Sequence, residues 1–354
     1  MDEELKALRA RIDSIDDALL QLVSERAGIA QQVGRAKKGE KIYRPEREAQ
    51  IVRRLREANP GPLPGDTIER LIREIMSACR AVEETTRVAY LGPAGTFSQQ
   101  AVHKHFGHEV EALTETDIDA CFQAVETGRA DFALVPVENS TEGAIGRTLD
   151  LIVSSPLKIC GEVMLPIHQT LMRKHGSLGG IQRVYGHVQS LAQCQQWLSR
   201  HLPDAERVSV VSNSEGARRA AAEPDSATLG SEAAAALYGL AVVETRVEDE
   251  ASNTTRFLVL GQTDAAPSGR DKTSLVMGAH NQPGAVVKLL QPLADAGISM
   301  SKLESRPARS SNWEYLFFVV CEGHREDAKL AAALAEIQAR AAFLNILGSY
   351  PAAS

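Results

Sequence analysis

Residues 2–38 contain no proline and carry Leu5, Leu8, Ile12, Ile15, Leu19, Leu22, Ile29 and Val33 at alternating spacings of three and four, the period of one face of an α-helix. A helix of that span is roughly 50 Å long at 1.5 Å per residue, longer than a unit of roughly 85 residues covers by itself. The stripe therefore predicts a partner chain lying along it, and so at least a homodimer. One slot in the stripe is wrong for packing: four on from Leu22 and three back from Ile29 lands on Arg26. A guanidinium among apolar neighbours needs an internal carboxylate or an anionic ligand. Glu48 is the candidate for the first. Arg9 and Lys37 on the same helix, with Arg47 just beyond Pro45, favour the second, because several cations converge with few carboxylates.

A third helix is expected from about Thr67, with Ile68, Leu71, Ile72, Ile75, Met76, Cys79 and Val82 on its apolar face and Glu83 continuing it four residues past Cys79. A carboxyl on a buried stripe is pushed toward its neutral form by desolvation and toward its ionised form by nearby cations. Fraying at the helix end is the alternative reading of Glu83.

The segment "LRARIDSIDDALLQLVSERAGIAQQVGRAK" followed by "YRPERE" resembles the all-helical chorismate mutase domain, which implies an intertwined helical dimer over residues 1–86. The resemblance implies that Arg9, Arg26, Lys37 and Arg47 hold the dianion chorismate and that Glu48 receives a substrate hydroxyl. The rearrangement to prephenate is pericyclic, so its acceleration comes from positioning and electrostatics. By the same resemblance Lys37 and Glu83 donate hydrogen bonds to the breaking ether oxygen. Many relatives carry glutamine where this chain has Glu83. Glutamate donates only when protonated, so the mutase is expected to favour mildly acidic pH. Cys79 stands where serine is common in the family, at a substrate-contact position.

After Thr85-Thr86 the pattern becomes short β-rich runs alternating with Ala- and Gln-rich stretches, an α/β signature. Three polar clusters adjoin strands: "GPAGTFS" before a helix, "ALVPVENSTEG", and Asn253-Thr254-Thr255-Arg256-Phe257. Strand ends of open α/β sheets and helix N-termini are where anionic ligands bind, although each cluster taken singly reads more readily as turn chemistry. Together, in this order and spacing, they resemble prephenate dehydratase over residues 87–264. That implies two α/β lobes like those of a periplasmic binding protein, the chain crossing over and returning late. It also implies Thr255 as the group that assists departure of the ring hydroxyl, with Ser98, Asn139, Ser140, Thr141 and Arg256 holding prephenate. His168 and His187 are read as structural or binding residues. His103, His105 and His108 lack nearby carboxylate ligands and the implied chemistry needs no cofactor, so no metal is expected.

Beyond the Pro/Gly/Ser-containing stretch "QTDAAPSGRD", the order strand, helix, two strands, helix, strand over residues 271–354 resembles the α+β ACT regulatory domain. "QPGAV" and "LESRP" look like its amino-acid-binding motifs, which implies phenylalanine bound by Gly284, Ala285, Val286, Leu303, Glu304, Ser305, Arg306 and Pro307. Family members more often read Gly-Ala-Leu where this chain has Gly284-Ala285-Val286.

The whole expectation is a multidomain enzyme that takes chorismate to phenylpyruvate under phenylalanine feedback. Two other readings stay open at this point: a non-catalytic sensor of aromatic metabolites, and a dehydratase whose helical segment serves only dimerisation. The 354 residues fit two to three domains. A net charge of −7 without a basic block argues against a nucleic-acid or membrane-surface partner. Five cysteines without a C-x-x-C pair and an opening without an apolar signal core fit a cytoplasmic protein.

Overall fold

The computed structural model describes residues 2–36, 43–279, 282–307 and 315–353. They form two compact units, one of Met1–Arg87 with His105–Glu111, the other of Val88–Lys104 with Ala112–Ser354.

The first unit is helical: α1 (Asp2–Ala36), α2 (Pro45–Glu57) and α3 (Gly65–Ala81). Proline opens α2 at its first turn, where the missing N–H is no loss. Val52 of α2 and Met76 and Cys79 of α3 are buried, while the 35-residue α1 buries no residue at all. Leu8, Ile12, Leu19 and Leu22 of its stripe stay more than half exposed. Arg56 fastens α2 to α3 through Asp66 at 3.0 Å and Glu69 at 2.8 Å.

The second unit contains three sheets among the described residues. The first has strands β1 (Arg87–Leu91), β2 (Glu111–Glu115), β3 (Phe132–Asn139), β4 (Gly143–Ala144) and β5 (Lys158–Pro166), with helices α4 (Phe97–Phe106), α5 (Ile118–Glu126) and α6 (Gly146–Ser154). The chain then builds the second lobe from β6 (Thr170–Arg173), β7 (Arg183–His187), α7 (Val188–Gln193), α8 (Gln195–His201), β8 (Glu206–Val210), α9 (Asn213–Ala222), β9 (Ser226–Gly230), α10 (Glu232–Tyr238) and β10 (Ala241–Glu244). It comes back as β11 (Thr254–Gly261), which inserts between β3 and β5 to give the order β2-β1-β3-β11-β5. The second-lobe order is β10-β6-β9-β7-β8. Two strand-to-strand passages, 167–169 and 245–253, therefore join the lobes, and the late return of β11 is what makes the domain two-lobed.

The third sheet has β12 (Asp271–Gly278), α11 (Ala285–Asp295), β13 (Met300–Pro307), β14 (Tyr315–Glu322), α12 (Ala328–Arg340) and β15 (Phe343–Pro351), in the order β13-β14-β12-β15 with all pairs antiparallel. Its core does not close on itself. Val276, Phe318, Leu347 and Tyr350 join Ile159, Leu258 and Leu260 of the first sheet in one buried apolar cluster. Strand β15 comes so close to β5 that a Cβ on Gly348 would sit on the Ile159 carbonyl oxygen, so only glycine fits there.

Candidate active sites

In the helical unit Arg26 is half-buried and Arg9 and Arg47 are exposed. Among the described residues none of the three has a carboxylate partner. Lys37 lies outside the described residues. Glu48 pairs not with Arg26 but with Arg80, a buried arginine of α3 that also donates to the Phe106 carbonyl at 2.7 Å and lies over the Tyr43 ring at 5.0 Å. Sequence periodicity missed Arg80, although it directly follows Cys79 on the packed helix. The Glu83 carboxyl lies against α1 where Gly34 leaves room: a Cβ on Gly34 would come within 2.6 Å of Glu83 Oε2. Glycine at 34 is thus what lets the turn just past the end of α3 bring a carboxyl to α1. Cys79 is buried nearby in sequence on α3.

The second site forms where β3 and β11 end side by side, with Thr255 opposite Asn139 in the ladder. Asn139 Nδ2 donates to Thr255 Oγ1 and to Asn253 Oδ1, both at 2.9 Å. Asn139 Oδ1 accepts from the Thr141 N–H at 3.0 Å, and Thr141 Oγ1 donates to Asn253 Oδ1 at 3.2 Å. The Ser140 N–H donates to the Thr254 carbonyl at 2.9 Å and its hydroxyl accepts from the Thr254 N–H at 2.9 Å. These bonds fix the Asn139 amide with its NH2 toward Thr255. Because Asn139 is the donor in that contact, the Thr255 hydroxyl hydrogen is left for another acceptor. Asn253 Nδ2, also buried, has no hydrogen-bond partner among the described residues, a spare donor beside Thr255 that sequence reading did not single out.

Ser98 is buried in the first turn of α4 and shares no hydrogen bond with the Asn139 group. Its turn is instead held by the second lobe: Ser214 Oγ donates to the Ala94 carbonyl at 2.8 Å and Ser231 Oγ to the Gly95 carbonyl at 2.6 Å. Both serines sit at helix starts and carry no motif, so nothing local in the sequence marks them. His168 Nδ1 meets the Glu248 carboxylate at 2.8 Å, tying together the two passages that join the lobes. His187 caps α7 by accepting from the Gln189 N–H at 3.4 Å. His105 contacts Tyr43 and His108 contacts Glu74, each at 2.7 Å.

Arg256 is not brought to this group. Consecutive strand residues face opposite sides, and its guanidinium turns into the interior toward the third sheet. Nε donates to Glu162 Oε2 at 2.9 Å and Nη2 to the Tyr350 hydroxyl at 2.9 Å. Lys272 Nζ reaches Glu162 Oε1 at 2.6 Å and the Ala353 N–H reaches the same oxygen at 3.0 Å. Burial raises the Glu162 carboxyl, but Arg256 and Lys272 outweigh it and hold the group below its usual value. Burial pushes the Tyr350 phenol up to about 12, so it stays neutral, and it bonds Ser274 Oγ at 2.6 Å.

In the third sheet Gly284 takes φ +75° as the cap that starts α11, followed by Ala285 and Val286 in its first turn. The "LESRP" strand splits by alternation. Leu303, Ser305 and Pro307 are exposed. Glu304 and Arg306 share the other face with Lys302, whose Nζ lies 2.9 Å from Glu138 and 3.1 Å from Glu304. Arg306 Nη1 donates to the Gly146 carbonyl at 2.6 Å.

Family models match in chain order: chorismate mutase type II over residues 8–84, prephenate dehydratase over 88–265 and ACT domain over 273–338. The chain is 51% identical, over 100% of its length and 98% of the relative's, to the bifunctional chorismate mutase/prephenate dehydratase of Neisseria gonorrhoeae. It is 47% identical, over 99% and 98%, to the same-named protein of Stutzerimonas stutzeri. Among solved structures, the prephenate dehydratase of Arthrobacter aurescens in complex with L-Phe is 32% identical, with a TM-score of 0.69 over 75% of this chain and 90% of that one.

Proposed function

The chain belongs to the family of bifunctional chorismate mutase/prephenate dehydratases, and from that premise we propose how its residues divide the two reactions. It is an enzyme with both activities and an ACT domain, and its place is phenylalanine biosynthesis. This sets aside the sensor reading.

The mutase site is built from Arg9, Arg26, Lys37 and Arg47 as clamps for the two carboxylates of chorismate, with Glu48 accepting the substrate hydroxyl and Cys79 lining the pocket. Arg9, Arg26 and Arg47 have no carboxylate partner among the described residues, which supports an anionic ligand. Arg80 orients Glu48 from the side opposite the substrate. Lys37 and Glu83 stabilise the ether oxygen as its bond breaks, and the approach of Glu83 to Gly34 supports placing it at α1. The bare apolar stripe of α1 supports a second copy of the chain covering it.

In the dehydratase site the ring carboxylate leaves as carbon dioxide, its bonding electrons enter the ring, and the ring hydroxyl departs. The hydroxyl of Thr255 hydrogen-bonds or protonates that departing oxygen. The observation that carries the reading is the Asn139 to Thr255 hydrogen bond, which occupies the threonine oxygen and leaves its hydrogen to be aimed. Ser98, Ser140 and Thr141 orient prephenate, and the free Nδ2 of Asn253 adds a donor. Thr255→Ala is expected to lower dehydratase kcat by about 10²–10⁴-fold, with Thr255→Ser retaining most of it. A Thr255→Ala enzyme with unchanged turnover of prephenate contradicts the assignment.

Phenylalanine binds the ACT domain through Gly284, Ala285, Val286, Leu303, Ser305 and Pro307 and inhibits the dehydratase; Glu304 and Arg306 complete the motif from the other face of β13. The L-Phe complex of the Arthrobacter aurescens relative supports this regulation. The enzyme works in the cytoplasm, which its five free cysteines support. Among the described residues no helix is long and apolar enough to cross a membrane.

A further inference from the structure

Two residue pairs lie next to each other at the end of the β3–β11 ladder. Asn139 faces Thr255 across it, and one step further in Glu138 is the register partner of Arg256. The register slips between Arg256 and Phe257 because Val137 of β3 is left without a partner, a bulge next to Pro136, which has no N–H to offer the ladder. The pair that carries the chemistry is therefore set by a strand end whose regular pairing is interrupted just behind it. On its other side β11 keeps its register with β5 from Thr254 to Val259, and a second hold acts on the Arg256 side chain.

That hold comes from the third sheet. Arg256 is bound to Tyr350 of β15 and to Glu162, and Glu162 is bound in turn to Lys272 of β12 and to the Ala353 N–H. Glu138 is paired with Lys302 of β13 at 2.9 Å. Arg256 is 8% exposed and the Glu162 side chain is fully buried, and the Arg256 Nε and Nη2 donors are engaged by Glu162 and the Tyr350 hydroxyl, which points them into the core and away from a substrate anion.

We propose that Arg256 is a positioning residue of the dehydratase and not a ligand of prephenate, and that through Tyr350 and Glu162 it makes the pose of Thr255 depend on the regulatory sheet. A displacement of β12, β13 or β15 moves Arg256 or Glu138, and each is covalently adjacent to one member of the Asn139–Thr255 pair. Phenylalanine then lowers turnover by favouring the arrangement of the sheet in which that pair is misaligned. The inference rests on the reading of Thr255 as leaving-group donor.

Tyr350→Phe in the full-length enzyme is the test, since it removes one hydroxyl and keeps the ring that fills the core. Dehydratase kcat is expected to fall about tenfold with KM for prephenate within about twofold, inhibition by phenylalanine to weaken, and chorismate consumption to stay at the wild-type rate. Ser274→Ala, which removes only the other partner of the Tyr350 hydroxyl, should give the same pattern at about threefold, and serves if Tyr350→Phe does not fold. A substrate-binding Arg256 predicts the reverse: Arg256→Lys raises KM at least about tenfold while Tyr350→Phe and Ser274→Ala keep wild-type kcat and inhibition, and that result overturns the proposal. Thr255→Ala is assayed beside them. If it keeps full dehydratase activity, the Thr255 reading falls and takes this inference with it; if it is inactive while both network variants retain kcat, this inference alone fails.

Discussion

His105 shows how a single side chain can be set by its surroundings rather than by its motif. Burial beneath Tyr43 and Phe106, then the guanidinium groups of Arg73 and Arg80, hold its imidazole well below the usual 6.5. The folded enzyme keeps it neutral, whereas the unfolded chain takes a proton as pH falls through 6.5. Its contribution to stability is therefore complete above about pH 6.5 and is lost below it, on the order of 1 kcal/mol between pH 7.5 and 5.5. His105→Gln should remove that share of the acid loss, measured as the change in urea midpoint between the two pH values. An identical loss in wild type and variant contradicts the account. Other residues yield to the same lesson. Thr255 and Arg256 adjoin in one motif, but strand alternation, which the sequence already contains, turns their side chains to opposite faces of β11. Arg80, Ser214 and Ser231 were not legible, because their partners come from distant parts of the chain.

At the scale of elements, the helix expected over residues 2–38 was readable because its stripe has one period throughout, and α1 runs through all the described residues of that span, Asp2–Ala36. Strand β11 starts at Thr254, earlier than its apolar run suggests, because β5 and the Ser140 hydroxyl supply partners to residues that a propensity scale treats as loop. Proline at 292 does not stop α11, so its helix is held by the packing of Leu289 and Leu293 in the core of the third sheet. The seam between β5 and β15 had no local signal at all, since a glycine in a strand reads as a weakness rather than a contact. Gly348→Ala should destabilise the enzyme by ~1–3 kcal/mol, because β15 must retreat from the Ile159 backbone. Thermal unfolding checks it, and an unchanged midpoint would mean the seam tolerates a methyl group.

At the scale of the molecule, the chain carries two chemistries, and the proposed assignments give them separate residues. Of the residues proposed for the mutase, Arg9 and Arg26 lie on α1, Arg47 and Glu48 on α2 and Cys79 on α3, where charge placement is the proposed means of speeding an intramolecular rearrangement. Of the residues proposed for the dehydratase, Asn139, Ser140, Thr141 and Thr255 gather where β3 and β11 adjoin and Ser98 stands apart in the first turn of α4, with the third sheet packed against those strands through a common core. The domain order was legible because each segment has its own period and motif set. The shared core was not, because it is made of ordinary apolar residues from both sheets.

The central claim, two separate sites on one polypeptide, is tested most directly by supplying chorismate to Arg26→Ala, to Thr255→Ala, and to an equal mixture of the two, and following prephenate and phenylpyruvate. The account predicts no chorismate loss in the first, accumulation of prephenate in the second, and phenylpyruvate from the mixture, with Arg26→Ala still converting added prephenate. Phenylpyruvate from Thr255→Ala alone, or failure of Arg26→Ala on added prephenate, would contradict it.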